Sequence, residues 1–308
     1  MNVLKGILLK LASALLFAVM SSLIRGFGDV VPVGQVVFFR SAFAIVPVVV
    51  IYAARRELGT AVRTGRPFGH VGRGIISVFG MFLSFASLAR LPLVDATAIS
   101  FAAPLITVAF AALILKERVR VYRWTAVAVG FLGVIVMLAP YLDLGRAAAA
   151  SGPAIGALFA LAAAFCNAGT VIQTRRLTDS ETTSAIVFYF SLFCAIAGLA
   201  TLPFAWHQPT GGELAALMAI GVLGGVSHIL LTESYRFAPA SLLAPFDYTA
   251  MLWAFVLGYA LFGETPTALV FVGALIIAAA GLFVIWRERQ LGIERARARA
   301  KARTAAPG

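Results

Sequence analysis

Ionisable side chains lie within an apolar stretch near the end of the chain, at residues 232–255. The stretch contains the carboxylates of Glu233 and Asp247 and the guanidinium of Arg236. A charge at the centre of a lipid bilayer costs on the order of 3 kcal/mol or more, so such side chains usually serve a function when their segment lies in lipid. Carboxylates in this setting can bind a proton, a cation or a solute.

Asp247 stands two residues after Pro245, roughly 10 Å into its apolar segment at 1.5 Å per residue. Proline has no N–H, so a carbonyl one turn earlier loses its helical partner. A broken helix beside an acid is a polar surface of the kind that transporters use for ligands, and we predict that Asp247 and Tyr248 bind substrate. The competing interpretation is that Asp247 only caps the helix that begins after Pro245.

Glu233 and His228, with Asp247, are the candidates for proton or ion coupling. Glu233 precedes Arg236 by three residues, so the two side chains can also form a local ion pair with no further role. His228 lies more than one helical turn away from Glu233. A lone histidine on an apolar helix can equally be a hydrogen-bonded packing residue, so both interpretations of each residue are open.

Arg40, in the sequence GQVVFFRS, falls in the outer third of the second apolar segment. A long basic side chain there can extend outward and place its charge in the interface. If Arg40 instead faces a cavity, it would attract an anionic or carbonyl-rich ligand, and we include it among the predicted substrate-binding residues.

Polar side chains form a stripe on the sixth apolar segment. Asn167, Thr170 and Gln173 follow one another at three-residue steps, so they share one broad helix face. The stripe suits hydrogen bonds to a ligand, for which we select Asn167 and Gln173, or hydrogen bonds between neighbouring helices.

Aromatic side chains are frequent in the central segments. Packing against lipid accounts for most of them. If Phe101, Tyr248 and Trp253 face inward, however, the cavity would suit a flat aromatic solute.

The composition places these residues in a membrane protein. The chain has 308 residues, of which 61% are hydrophobic and 12% charged, and a soluble domain cannot hide so much apolar surface. Backbone groups cannot stay unpaired in lipid, so each long apolar run should be a helix. The expected fold is all-α, with ten transmembrane helices near 4–24, 34–53, 73–90, 94–115, 122–141, 153–174, 185–204, 214–236, 240–261 and 267–286.

The basic residues predict the topology. With the N-terminus inside, 21 Lys and Arg residues, Lys10 and Arg73 among them, fall on the cytoplasmic side and three fall outside, which predicts that both termini are cytoplasmic. The basic tail 287–308 is expected to lie against anionic lipid rather than to bind nucleic acid.

The two cysteines, Cys166 and Cys194, lie in apolar runs and are expected to be inert thiols.

No enzyme motif accompanies the apolar segments. The sequence contains no P-loop, no glycine-rich dinucleotide motif after a strand, no metal-ligand spacing and no nucleophile triad. We therefore expect neither catalysis nor a cofactor or metal, and a small molecule and the lipid bilayer are the expected partners.

The two halves of the chain resemble each other. At an offset of 147 residues, the segment 90–117 aligns with 237–264, and at an offset of 150 residues Arg25 aligns with Arg175. Each half contains five predicted helices. Because five is an odd number of crossings, the second half enters the membrane from the opposite side to the first, which is the inverted-repeat arrangement of secondary transporters. The predicted units are residues 1–148 and 149–286. Duplication can also simply produce a stable bundle.

The chain resembles the EamA family of the drug/metabolite transporter superfamily over residues 4 to 286. The resemblance rests on the ten apolar segments, the paired proline-to-glutamate segments 92–117 and 239–264, and GQVVFFRS at 34–41. The sequences TESYRFA (232–238), APFDYTAMLW (244–253) and FGETPT (262–267) are similar to bacterial riboflavin importers of the RibN type and to S-adenosylmethionine uptake proteins.

This resemblance implies a ten-helix, multi-pass carrier in the bacterial inner membrane that moves a flavin by alternating access. It supplies none of the site residues above, which come from the sequence pattern. Export of amino acids or related metabolites and uptake of S-adenosylmethionine are the alternatives on the same fold. A membrane scaffold without solute flux is the alternative from another class, in which Asp247 and Glu233 would be dispensable.

Overall fold

A computed structural model describes residues 3–54, 59, 63–114, 116, 119–141, 152–178, 180–237 and 243–305. These ranges are helical and contain no strand. The α-helices are α1 Val3–Phe27, α2 Val33–Ala54, α3 Pro67–Arg90, α4 Leu93–Ser100, α5 Ala102–Ile114, α6 Val121–Leu138, α7 Gly152–Thr178, α8 Thr183–Leu199, α9 Gly211–Phe237, α10 Thr249–Phe262 and α11 Ala268–Ala305. Short helical turns occur at Ala139–Tyr141, Leu202–Ala205 and Ala244–Tyr248.

Helix length and composition support a membrane protein. Within the described ranges, seven stretches are long and apolar enough to cross a bilayer, and three shorter apolar helices accompany them. The shorter ones are Val33–Pro47, Ala185–Leu199 and Phe246–Phe262. These stretches correspond in order to the ten predicted segments, while the number of crossings stays a prediction.

Two of the predicted segments are not continuous α-helices, and proline explains the clearer case. The segment predicted at 94–115 divides into α4 and α5 at Phe101. Pro104 has no N–H to offer the carbonyl of Ser100, four residues earlier, and its ring crowds that carbonyl. In the second half, Pro245 lies in the 3-10 turn Ala244–Tyr248 that leads into α10.

Helix α2 packs between α8 and α9, and glycine permits the close approach. A Cβ atom added to Gly198 of α8 would lie 2.6 Å from the backbone nitrogen of Phe38, and one added to Gly221 of α9 would lie 2.3 Å from Cβ of Phe43. Small residues at such contacts are the usual means of bringing membrane helices together. The other main contacts join α1 to α9 and α10, α3 to α7 and α8, α5 to α7, and α6 to α11.

Two basic residues counted above as cytoplasmic charges are instead buried within helices. Helix α3 begins at Pro67, six residues before the predicted start, because proline is well suited to a first helical turn. Arg73 therefore lies inside the helix and is buried. Lys10, in α1, is 3% exposed. At the other end of the chain, α11 continues through the basic tail to Ala305 without a break at residue 287.

Candidate functional site

Arg40 of α2 is buried in the bundle, with only 5% of its surface exposed, which excludes the interpretation that it extends to the interface. Its Nη2 atom lies 3.0 Å from Nε2 of His228 on α9. A guanidinium carries only donors, so Nε2 of His228 must accept this hydrogen bond and the ring proton must be on Nδ1. His228 is therefore neutral in this arrangement, which argues against its carrying a proton here.

The remaining nitrogens of Arg40 have no acceptor in the part of the chain that the structure describes. Among the described residues, neither Nε nor Nη1 has a hydrogen-bond partner, although both atoms are buried. No carboxylate in the described ranges forms an ion pair with Arg40. A buried charge without a counter-charge is expensive, and the planar guanidinium fork fits carboxylate and carbonyl oxygens. Arg40 thus presents two donor nitrogens suited to an acceptor-rich solute.

A second buried arginine lies beside the first, across one aromatic ring. Cζ of Arg40 is 5.6 Å from the ring centre of Phe190 on α8, and Cζ of Arg73 is 5.2 Å from it. Arg73 differs in that its Nε donates to Oγ1 of Thr174 at 2.7 Å and its Nη1 donates to the carbonyl oxygen of Ile186 at 3.0 Å. The two guanidiniums make this part of the interior electropositive, and the ring face attracts both of them.

The sequence of α9 makes room for the Arg40 guanidinium. Gly224 and His228 are four residues apart, so they lie on the same helix face. A Cβ atom at Gly224 would lie 3.4 Å from Nε of Arg40 and 3.0 Å from Sδ of Met20. The ring of Phe17 on α1 packs edge-on against His228 at a centroid distance of 4.9 Å. Helices α1, α2, α3, α8 and α9 therefore all contribute to what we name the Arg40 site.

Asp247 does not belong to the Arg40 site. Its carboxylate pairs with Nζ of Lys10 at 2.5 Å, and 52% of its side chain is exposed, whereas the Lys10 side chain is buried. Lys10 was absent from the predicted site, although a lysine within the apolar segment 4–24 was a signal for it. The pair joins α1 to the 3-10 turn before α10.

Phe101 and Tyr248, both predicted to bind substrate, contact each other. Their rings stack with centroids 5.2 Å apart and an angle of 24°. Gly281 of α11 accommodates the tyrosine, since a Cβ atom there would lie 1.6 Å from the Tyr248 hydroxyl oxygen. Nε1 of Trp253 is buried and has no hydrogen-bond partner within the described part of the chain.

The polar stripe on α7 faces α3. Thr170 Oγ1 lies 3.1 Å from Oγ of Ser77, which is the helix-to-helix contact considered above. Asn167 is exposed next to Gly80 of α3, and Gln173 is half-buried. Neither side chain joins the Arg40 site. Glu233 is half-buried on α9, and its proposed local partner Arg236 has a side chain outside the described part.

Comparison with known proteins adds the family. The sequence matches the EamA-like transporter family over residues 4–139 and 154–286. The chain belongs to this family. The EamA assignment covers both halves and agrees with the apolar helices, so the protein is a multi-pass membrane transporter of the bacterial inner membrane, and its relatives are named as transporters rather than enzymes.

Three relatives are named for the transport of different solutes. An S-adenosylmethionine uptake transporter of Rickettsia prowazekii is 32% identical over 253 residues, covering 82% of each chain. A riboflavin transporter of Rhizobium johnstonii is 33% identical over 235 residues, covering 76% of this chain and 75% of the relative. The pseudopaline exporter CntI of Pseudomonas aeruginosa is 30% identical over 281 residues, covering 89% and 94%.

One crystal structure superimposes on this EamA protein with a TM-score of 0.63. It covers 93% of this chain and 98% of the other at 20% identity. This likeness shows a shared fold.

Proposed function

We propose that this EamA transporter takes up riboflavin, with the Arg40 site as the place where the flavin ring is held. The observation that carries the proposal is the buried Arg40 guanidinium, whose Nε and Nη1 have no acceptor among the described residues. Hydrogen bonds to a charged donor contribute about 1.5–3 kcal/mol each, which is enough to select a solute.

The chemistry of riboflavin fits the charge and shape of the site. Its ring system is flat, uncharged at neutral pH, and has carbonyl oxygens and ring nitrogens along one edge. Arg40 can donate to two of these acceptors, and the rings of Phe17 and Phe190 offer flat apolar contact. Arg73, although its own hydrogen bonds are satisfied, adds positive potential that favours electron-rich groups.

Uptake of S-adenosylmethionine is the second candidate, and the exposed half of Asp247 is the observation in its favour. S-adenosylmethionine has a carboxylate that Arg40 can bind, but it also has a sulfonium and an ammonium. Two buried guanidiniums oppose a solute with a net positive charge. Asp247 would have to leave Lys10 to compensate, so we rank this substrate below riboflavin, and export of an amino-acid-like metabolite below both.

We further propose that alternating access uses two inverted units of five helices, residues 1–148 and 149–286. In support, contacts occur in related pairs: α1 with α9 corresponds to α7 with α3, α2 with α9 to α8 with α3, and α1 with α10 to α7 with α5. Phe101 and Tyr248, which stack on each other, are equivalent at the offset of 147 residues. Phe101 belongs to the first unit and Tyr248 to the second, so a movement of one unit relative to the other would change the contact between these two rings.

The experiment is uptake of radiolabelled riboflavin by proteoliposomes that contain the purified full-length protein. We expect saturable uptake above empty vesicles and competition by excess unlabelled riboflavin. S-adenosylmethionine and a panel of amino acids serve as competing solutes at the same concentrations. A correctly folded protein that moves no riboflavin, or that moves S-adenosylmethionine in preference, would overturn the riboflavin assignment. Resistance of expressing cells to toxic amino-acid analogues would favour export instead.

A further inference from the structure

One end of the bundle holds a cluster of charged groups separate from the Arg40 site. Nε and Nη2 of Arg25, at the end of α1, lie 2.9 Å from Oε1 of Glu264, in the loop between α10 and α11. The backbone N–H of Leu93, the first residue of α4, donates to Oε2 of Glu264 at 2.7 Å. Both oxygens of Glu264 are thus occupied, and Arg25 balances its charge. We name Arg25, Asp95, Tyr141 and Glu264 the Glu264 cluster.

Asp95, in the first turn of α4, lacks this compensation. It is 1% exposed, and the Tyr141 hydroxyl donates to its Oδ2. Its Oδ1 is buried and has no hydrogen-bond partner in the part of the chain that the structure describes. No basic side chain there forms an ion pair with it, and the negatively charged Glu264 is bound to the N–H of Leu93, only two residues before Asp95.

The helices packed against α4 bring few charges to this end. Arg25 on α1 is bound to Glu264, and Arg90 at the end of α3 pairs with Asp29 at 3.6 Å. The apolar lengths of α5, α7, α10 and α11 that contact α4 contain no Asp, Glu, Lys or Arg. An ionised carboxylate in such a place would be strongly disfavoured, whereas a protonated carboxyl is neutral and costs far less to bury.

We propose that Asp95 is a proton-binding site that controls this end of the transporter. Asp95 holds one proton on its carboxyl while the Glu264 cluster is assembled, as it is here. When the cluster separates, that proton passes to the adjoining aqueous phase, and the carboxylate so formed gains water. The proton returns from the same side when the cluster closes again, so proton binding and closure are linked without net proton movement across the membrane.

The sign of the pH effect follows from this linkage. Closure binds a proton, so a rise in pH on the Asp95 side favours the open form of this end and slows closure. The predicted topology places this side outside the cell. This part of the proposal rests on the proposed transport function, because closure is measured through solute movement.

The first test does not require a substrate. Infrared spectra of the full-length protein in lipid vesicles should contain the C=O stretching band of a protonated carboxyl at neutral pH. The band should disappear in Asp95→Asn and shift in Tyr141→Phe, which removes the hydroxyl that donates to Oδ2. Asp29→Asn is the matched control, since its side chain is 74% exposed and the band should persist. Retention of the band in Asp95→Asn would overturn the proposal. An unshifted band in Tyr141→Phe would also overturn it, and this variant serves as the test if Asp95→Asn does not fold.

The second test measures riboflavin counterflow in proteoliposomes while the pH on each side is changed separately. Exchange by the wild type should slow at least about threefold as the pH on the Asp95 side rises by two units, with the inner pH fixed. Asp95→Asn mimics the protonated carboxyl and should lose this dependence, whereas Asp29→Asn should keep it. A wild-type pH dependence in Asp95→Asn would overturn the proposal. If no riboflavin moves at all, the proposed function fails and the infrared band alone decides on Asp95.

Discussion

Arg40 and Lys10 are both buried cations on the first two helices, but within the described ranges only Lys10 has a counter-charge. Lys10 is 3% exposed and its ammonium lies 2.5 Å from the carboxylate of Asp247. Arg40 contacts the neutral acceptor nitrogen of His228, and its two other donor nitrogens have no partner among the described residues. The difference separates a cation that joins two elements of the fold from one that is available to a ligand.

The energetic consequences of the two arrangements are opposite. Removing one member of a buried ion pair strands the other, which destabilises the protein. Removing a buried charge that has no counter-charge relieves a desolvation cost instead. We therefore expect Arg40 to lower the stability of the fold, as residues retained for function often do.

Arg40→Met should have the largest effect on transport and should separate function from stability. The loss of one charge-assisted hydrogen bond or more predicts a fall in riboflavin uptake of about 100-fold. The apparent melting temperature of the protein without substrate should rise or stay unchanged, because removing an uncompensated charge offsets the loss of the one hydrogen bond to His228. Uptake kinetics and thermal unfolding of the purified protein measure the two effects.

Arg73→Met is the matched control for that prediction. Arg73 is also buried beside Phe190, but its donors are satisfied by Thr174 and by the carbonyl of Ile186. The same substitution there breaks two hydrogen bonds, whereas Arg40→Met breaks only the one to His228, so Arg73→Met should lower the melting temperature. If the two variants lose stability equally, Arg40 is an ordinary structural arginine and the comparison fails.

The Lys10–Asp247 pair should give the next largest effect, and mainly on stability. Asp247→Asn leaves a buried ammonium without its carboxylate and should cost about 1–3 kcal/mol, below the range for fully buried pairs because half of the Asp247 side chain is exposed. Lys10→Met should cost less, since the exposed carboxyl can be solvated or protonated. The double variant should recover part of the loss.

A double-mutant cycle from thermal or denaturant unfolding measures the coupling between Lys10 and Asp247. Additive single effects would mean that the contact contributes nothing. If Asp247→Asn instead abolishes riboflavin uptake without loss of stability, Asp247 binds substrate as the sequence predicted.

The sequence predicted the order of the long helices and the chemistry of single residues, but not which residues meet. Arg40 and His228 were each identified from a polar side chain within an apolar run, yet they are 188 residues apart. Spacing within one helix shows which residues share a face and does not show which helix lies opposite. For the same reason, the sequence indicates Phe101 and Tyr248 individually but does not predict that their rings stack on each other.

The residues that sequence analysis missed had weaker signals. Lys10 and Arg73 fit the excess of positive charge expected on the cytoplasmic side, so the sequence gives no reason to consider them buried. The predicted third segment also begins six residues after the observed start of α3 at Pro67. Asp95 is a single carboxylate in the apolar run LPLVDATAIS. Its importance depends on Tyr141 and Glu264, which only the packing of distant elements brings near it.

Phe190→Leu should sharpen the comparison by altering the surroundings of Arg40 without removing its charge. The ring lies under both guanidiniums, and a cation–π contact contributes about 0.5–2 kcal/mol. The predicted result is an increase in the KM for riboflavin of about three- to tenfold. Phe188→Leu, on the same helix but packed edge-on against Tyr189, is the control and should leave KM unchanged. Equal effects of the two substitutions would show that only the packing of α8 matters.

Glu181→Gln should have the smallest effect, because three neutral donors in the segment just before α3 satisfy one oxygen of this carboxylate. Its Oε1 accepts from Thr64, Gly65 and Arg66, and Nε2 of His70 lies 3.5 Å from Oε2. Burial by itself would raise the pKa of Glu181, but the hydrogen bonds outweigh burial and hold that pKa below its usual value of 4.5. Glu181 is thus an anion stabilised by hydrogen-bond donors, just as Lys10 is a cation stabilised by the carboxylate of Asp247.

The pH dependence of stability tests whether Glu181 is compensated in this way. A carboxyl with a lowered pKa in the folded protein stabilises it above the usual value of 4.5 and loses that contribution as the pH falls through the lowered value. Wild type should therefore melt above Glu181→Gln at neutral pH, and the gap should close on acidification below 4.5. Riboflavin uptake at neutral pH should be the same in both. If the difference in melting temperature between wild type and Glu181→Gln does not change with pH, the donors do not stabilise the charge of Glu181. A loss of uptake in Glu181→Gln would show that this loop takes part in transport, as Arg40 is proposed to do.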